Sequence, residues 1–68
     1  MRYAIVIEKA DDNYCAYVPD LPGCVATGNM VASVKREIRN AIRFHIEGLQ
    51  DDGLPVRRPS TIAAYVET

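Results

Sequence analysis

The stretch YVPDLPGCVATG, residues Tyr17 to Gly28, sets two prolines and a glycine around an aspartate and then passes into a β-prone run. Pro19 lacks a backbone donor and cannot continue a central ladder, so a strand arriving through Tyr17 and Val18 must end there. Pro22 fixes the next bend, and Gly23 can take a backbone conformation closed to other residues. The segment therefore predicts a stiff corner between two strands, the later one being Cys24 to Thr27. Prolines at such a corner also lower the entropy of the unfolded chain, which helps a molecule with little core.

Outward from the corner, Tyr14 to Val18 is the incoming strand, and Arg2 to Glu8 is a β-branched and aromatic run that suits a strand before it. Between them, Asp11, Asp12 and Asn13 supply turn chemistry. After the corner, Asn29 is the expected N-cap of a helix. From Met30 the apolar positions Val31, Val34, Ile38, Ala41, Ile42, Ile46 and Leu49 repeat at three-and-four spacing, with His45 at the edge of the stripe. Asp51, Asp52 and Gly53 close that helix. Leu54 to Ser60 reads as a proline-punctuated connection, and Thr61 to Glu67 as a fourth strand. The predicted fold is α+β, a single domain over 1–68 with element order βββαβ. It is an antiparallel three-strand meander with a fourth strand added beside the first through a right-handed helical crossover, in spatial order 3-2-1-4. One helix covers one face.

A chain of 68 residues buries only about 60% of its unfolded surface, so its core is thin. Both faces of the first two strands read as apolar, with Tyr3, Ile5 and Ile7 alternating with Ala4 and Val6. One helix cannot cover both, which predicts a homo-oligomer, most simply a homodimer. The net charge of −1 gives no global case for nucleic acid. Two cysteines are too few for a disulfide framework and lack metal-ligand spacing. No apolar run approaches the roughly 20 residues that span a bilayer. No signal-peptide pattern precedes the first strand, and the expectation is a cytoplasmic protein with reduced thiols and no membrane contact.

A search for chemistry finds no assembled site. The carboxylates of Glu8, Asp11, Asp12, Asp20, Asp51 and Asp52 are spread over turns and ends, which suits solvated turn residues better than a two-metal centre. No catalytic residue, metal or cofactor is expected. His45 is read as a half-buried histidine hydrogen-bonded to the loop after the helix, and Cys15 and Cys24 as small packing residues. Pro19, Pro22, Gly23, Cys24 and His45 are thus structural. The one local concentration of charge is the helix face of Lys35, Arg36, Arg39 and Arg43. It could contact nucleic acid, although no aromatic is interleaved for base stacking.

Three motifs carry a resemblance that spans the chain: VIEK closing the first strand, YCAYVPDLPGCVATG through the corner, and AIRFHIEGLQDDGLPV at the helix end. The chain resembles the HicB antitoxin family, with its partial ribonuclease H-like domain, in a short form without the C-terminal DNA-binding domain that many members carry. The resemblance implies a non-enzymatic protein that binds and occludes a small HicA-type mRNA-cleaving toxin. On that expectation, the partner-facing candidates are the tyrosines Tyr3, Tyr14, Tyr17 and Tyr65 and the acids Asp11, Asp12 and Asp20, set against a basic toxin surface. The alternative is a stand-alone nucleic-acid-binding or regulatory domain using the basic helix face.

Overall fold

The computed structural model describes residues 1–68. Three short strands, β1 (Val6–Lys9), β2 (Tyr14–Tyr17) and β3 (Val25–Gly28), are followed by one helix, α1 (Val31–Asp51). The sheet is an antiparallel meander in the order β1-β2-β3. Val6 faces Tyr17 and Lys9 faces Tyr14 across the first pair, while Tyr17 faces Val25 and Tyr14 faces Gly28 across the second. The α+β class and the meander are as expected. The first strand is shorter than its sequence pattern because β2 turns away at Pro19, which leaves residues 2–5 running on past the end of their partner.

The corner is two tight turns in series. The Leu21 N–H donates to the Val18 carbonyl at 3.1 Å, with Pro19 at the second position of the turn. The Cys24 N–H donates to the Leu21 carbonyl at 3.1 Å, with Pro22 at the second position. Gly23 follows at φ 83°, the combination that a type II turn requires. A third bond, from the Val18 N–H to the Cys24 carbonyl at 3.2 Å, closes the pair into one unit. The unit turns Val18, Leu21 and Cys24 inward, where they form half of the six-residue core with Ala16, Val34 and Ile38. Beyond turning the chain and packing Cys24, the corner thus supplies half of the buried core.

Period-two alternation sorts the sheet faces. Ile7, Ala16 and Ala26 look toward α1, while Val6, Tyr17 and Val25 look away from it onto an uncovered face. Tyr3, Ile5 and Tyr14 pack half-buried around the core. The helix begins one residue later than its capping pattern predicted: the N-cap is Met30, not Asn29. The reason is Ser33, whose hydroxyl accepts the Met30 N–H at 3.0 Å and donates to the Met30 carbonyl at 2.9 Å. At the other end Gly53, at φ 68°, sends its N–H to Gln50, and Leu54 sends its own to Leu49 at 2.8 Å. That pair is a Schellman motif, and it explains why α1 stops where it does.

The fourth strand is the principal correction. Thr61 to Glu67 pairs with no strand, and the order 3-2-1-4 reduces to 3-2-1. Its composition is that of a strand, but α1 lies over β2 and β3 and leaves the flank beside β1 without a roof. The bonds from Ser60 and Thr61 to Asp20 hold the start of the segment at the corner, and the residues beyond it leave the body exposed.

Two glycines carry the geometry. A Cβ on Gly23 would meet no atom within 4 Å, so its requirement is purely the positive φ. A Cβ on Gly28 would lie 2.7 Å from the Val34 nitrogen, because β3 passes directly under the first turn of α1. Gly23→Val is expected to lose about 1–3 kcal/mol through backbone strain, more than Cys24→Ala loses in packing. Gly28→Ala is expected to shift the helix start and lower the melting temperature as well. Urea unfolding midpoints of the three variants check this, and a Gly23→Val midpoint equal to wild type would refute the turn assignment.

Candidate functional site

Asp20 lies at the apex of the corner. It is not the solvated turn residue its surroundings in sequence suggested, being only 7% exposed. Its carboxylate accepts four hydrogen bonds from the chain after the helix. The Ser60 and Thr61 N–H groups donate to Oδ2 at 3.0 and 3.1 Å, and the Ser60 and Thr61 hydroxyls donate to Oδ1 at 3.0 and 2.8 Å. The donors hold the carboxyl below its ordinary value of 3.8, at about 2, the Ser60 N–H contributing most and partial burial opposing. Both oxygens are thereby engaged within the molecule. The Tyr3 hydroxyl makes a second tie to the same connection, donating to the Arg57 carbonyl at 2.6 Å. No local sequence pattern reveals either bond, since the partners lie 40 to 54 positions apart.

The other candidates separate into distinct surfaces. Tyr17, 42% exposed, stands on the uncovered sheet face between its cross-strand neighbours Val6 and Val25, the latter also exposed. Asp11 and Asp12 are exposed in the turn between β1 and β2. Tyr14 is half-buried on the helix side of the sheet, and Tyr65, at 98% exposure, belongs to the unpaired tail. The structure therefore does not bring the tyrosines together.

The basic residues of α1 divide as well. Lys35, Arg39 and Arg43 follow one line down the helix and, with Arg2, rim a groove of about 770 Å³ floored by Ile5, Ile38, Ile42 and Ile46. Arg36 is exposed and stands outside that groove.

On the opposite flank of α1, His45 lines a shallow depression with Cys24, Phe44 and Asp52. It is half-buried as expected, but its ring makes no hydrogen bond to the loop after the helix; the side-chain bonds of that region go to Asp20 and from Tyr3. Burial pushes the Cys24 thiol up, which keeps it protonated and suits packing. No three of the histidine, cysteine, aspartate and glutamate side chains converge as metal ligands would. No helix is long and apolar enough to cross a membrane.

A compact meander under a single helix, with a proline-built corner, has recognisable relatives. The family model described as the HicB_like antitoxin of bacterial toxin-antitoxin systems matches residues 3–68. The chain belongs to the HicB-like antitoxin family. Among solved structures, this HicB-like chain is similar to a chain of a HicA3 and HicB3 toxin-antitoxin complex. The likeness has a TM-score of 0.76 at 33% identity and covers 87% of this chain and 70% of that one. It is also similar to a UPF0150 protein of Helicobacter pylori, 35% identical over 91% of this chain and 88% of the relative. A third relative is an uncharacterised 14.9 kDa protein of Haemophilus phage HP1, 38% identical over 97% of this chain. The HicB-like chain spans 50% of that phage protein's length.

The clasp at Asp20 makes a pH prediction for this HicB-like fold. Between about pH 4 and pH 2 the unfolded chain binds a proton that the folded chain refuses, so stability falls as pH drops through that window. Asp20→Asn is expected to flatten the dependence there by about one proton and to speed amide exchange at Ser60 and Thr61. Acid titration of the urea midpoint checks it; an unchanged profile in Asp20→Asn would show that the clasp does not form.

Proposed function

We propose that this chain is a non-catalytic antitoxin module that binds and occludes a small HicA-type mRNA-cleaving toxin in the cytoplasm, working as a homodimer. What carries the reading is the fold likeness, over 87% of the chain, to a chain solved in a toxin-antitoxin complex. Occlusion suits the chemistry present. Such an inhibitor needs a rigid surface rather than reactive groups, and the corner and the uncovered sheet face supply rigidity. Tyr17, flanked by Val6 and Val25, is the aromatic anchor of that face. Asp11 and Asp12, at the hairpin end of the same sheet, are the acids that would meet a basic toxin surface; Asp20 is already committed internally. Tyr3 and Tyr14 support the sheet from the helix side.

The gathering of Lys35, Arg39 and Arg43 with Arg2 favours a second reading, contact with nucleic acid along the helix flank, with Arg36 adjacent. The two readings differ in salt dependence and in which charges matter.

The test is inhibition of RNA cleavage by a toxin encoded beside this chain. Stoichiometric inhibition without modification of the toxin is the expected result. Tyr17→Ala is expected to weaken the complex by about 2 kcal/mol. Reversing Asp11 and Asp12 to lysine should slow association about tenfold at low salt. Arg36→Glu should leave inhibition intact. Loss of inhibition on reversing Arg36, with the Asp11 and Asp12 variants silent, would place the contact on the helix instead. Retention of RNA that fades steeply with salt, without toxin inhibition, would favour the second reading.

A further inference from the structure

The sheet has an unused edge and the chain has an unused strand. β1 pairs with β2 on one side only, and its other edge presents unpaired backbone groups. Because α1 lies over β2 and β3, the space beside that edge is the groove whose floor is Ile5, Ile38, Ile42 and Ile46 and whose rim carries Arg2, Lys35, Arg39 and Arg43. The tail from Thr61 is exposed throughout, with Ile62 at 87%, Tyr65 at 98% and Val66 at 85%. It contains no proline, glycine or basic residue to block pairing, and its only charged side chain is that of Glu67. Apolar residues exposed to this degree on one short segment need a surface to lie on.

We infer that the groove beside β1 receives the segment Thr61–Glu67 of a second copy of this chain, and that two copies exchange these segments reciprocally to complete each other's sheet with a fourth strand. The dimensions agree. Seven residues of strand span about 23 Å, and the run Arg2 to Lys9 offers about 26 Å of edge. Alternation places Ile62, Ala64 and Val66 on one face of the added strand, against the isoleucine floor, and puts Tyr65 on the other. Charge agrees as well: a rim of four cations meets a segment whose one charge is negative. The tie of Ser60 and Thr61 to Asp20 holds the root of the tail at the corner of its own chain, so the tail leaves the body as a fixed arm. A two-fold axis relating the copies makes the exchange mutual, which is the closed arrangement most soluble oligomers adopt.

This inference does not rest on the antitoxin reading, since its measurements use no toxin. Sedimentation equilibrium of the full chain at about 50 µM, well above the Kd of a stable dimer, should give twice the 7.6 kDa of one chain. Ala64→Pro, which breaks the extended geometry in the middle of the tail without touching the body, should return the mass to that of a monomer, with the helical circular dichroism unchanged. Amides of residues 62–66 should be protected from exchange in the dimer and lose protection on dilution. Glu67→Lys should weaken the dimer at low salt and have little effect at high salt. A wild-type monomer at this concentration would overturn the inference. A dimer that survives Ala64→Pro would overturn it too, placing the contact on the sheet face around Tyr17. So would a tail protected only after a toxin is added, which would assign the groove to that partner.

Discussion

The bond from the Val18 N–H to the Cys24 carbonyl is the constraint on which the rest of the molecule depends. It closes two turns that each carry a proline at the second position, so seven residues are held in one shape with little entropy left to lose. That shape points Val18, Leu21 and Cys24 into the interior, against Val34 and Ile38 of the helix. It also sets the spacing of β2 and β3, and so the shelf on which α1 rests. A chain of this size has few other sources of rigidity: no disulfide is formed, and no metal cluster is assembled. The stiff corner substitutes for the larger core the chain cannot build.

What could be read from sequence was whatever depends on neighbours within a few positions. The prolines and Gly23 announced the corner, the three-and-four spacing announced α1, and Gly53 announced its end. Boundaries that depend on a partner were harder to read. The first strand is cut short by the departure of β2 at Pro19, a fact about the neighbour rather than about Arg2 to Ile5. The N-cap moved from Asn29 to Met30 because the Ser33 hydroxyl serves the Met30 backbone in both directions. Gly28 falls just past the expected third strand, and only the overlying helix shows why a side chain does not fit there. Thr61 to Glu67 has strand composition without a strand's partner, and composition alone does not provide one.

The candidate site was less legible for the same reason. Tyrosines and acids can be counted in a sequence, but their grouping is a product of the fold. The sheet placed Tyr17 on the uncovered face, kept Tyr3 and Tyr14 on the helix side and left Tyr65 in the tail. Of the acids, Asp20 turned inward while Asp11 and Asp12 stayed exposed. The helix cations, read as a single face, split at Arg36. Period two along β2 parts Tyr17 from Tyr14, period 3.6 along α1 parts Arg36 from its neighbours, and the bonds from Ser60 and Thr61 engage Asp20.

The two ties between distant parts of the chain bear on how the molecule assembles. The meander and the helix are built from contacts close in sequence, which favours rapid folding with the corner and the hairpin as its first organised parts. The Tyr3 hydroxyl on Arg57 and the Asp20 carboxylate on Ser60 and Thr61 close loops of 54, 40 and 41 positions. Loops of that length close last and reopen first. Local opening is therefore expected at these two ties before it reaches the six-residue core. Exchange experiments on the native state should see two tiers of protection: a high tier over the sheet and helix and a lower one at the termini.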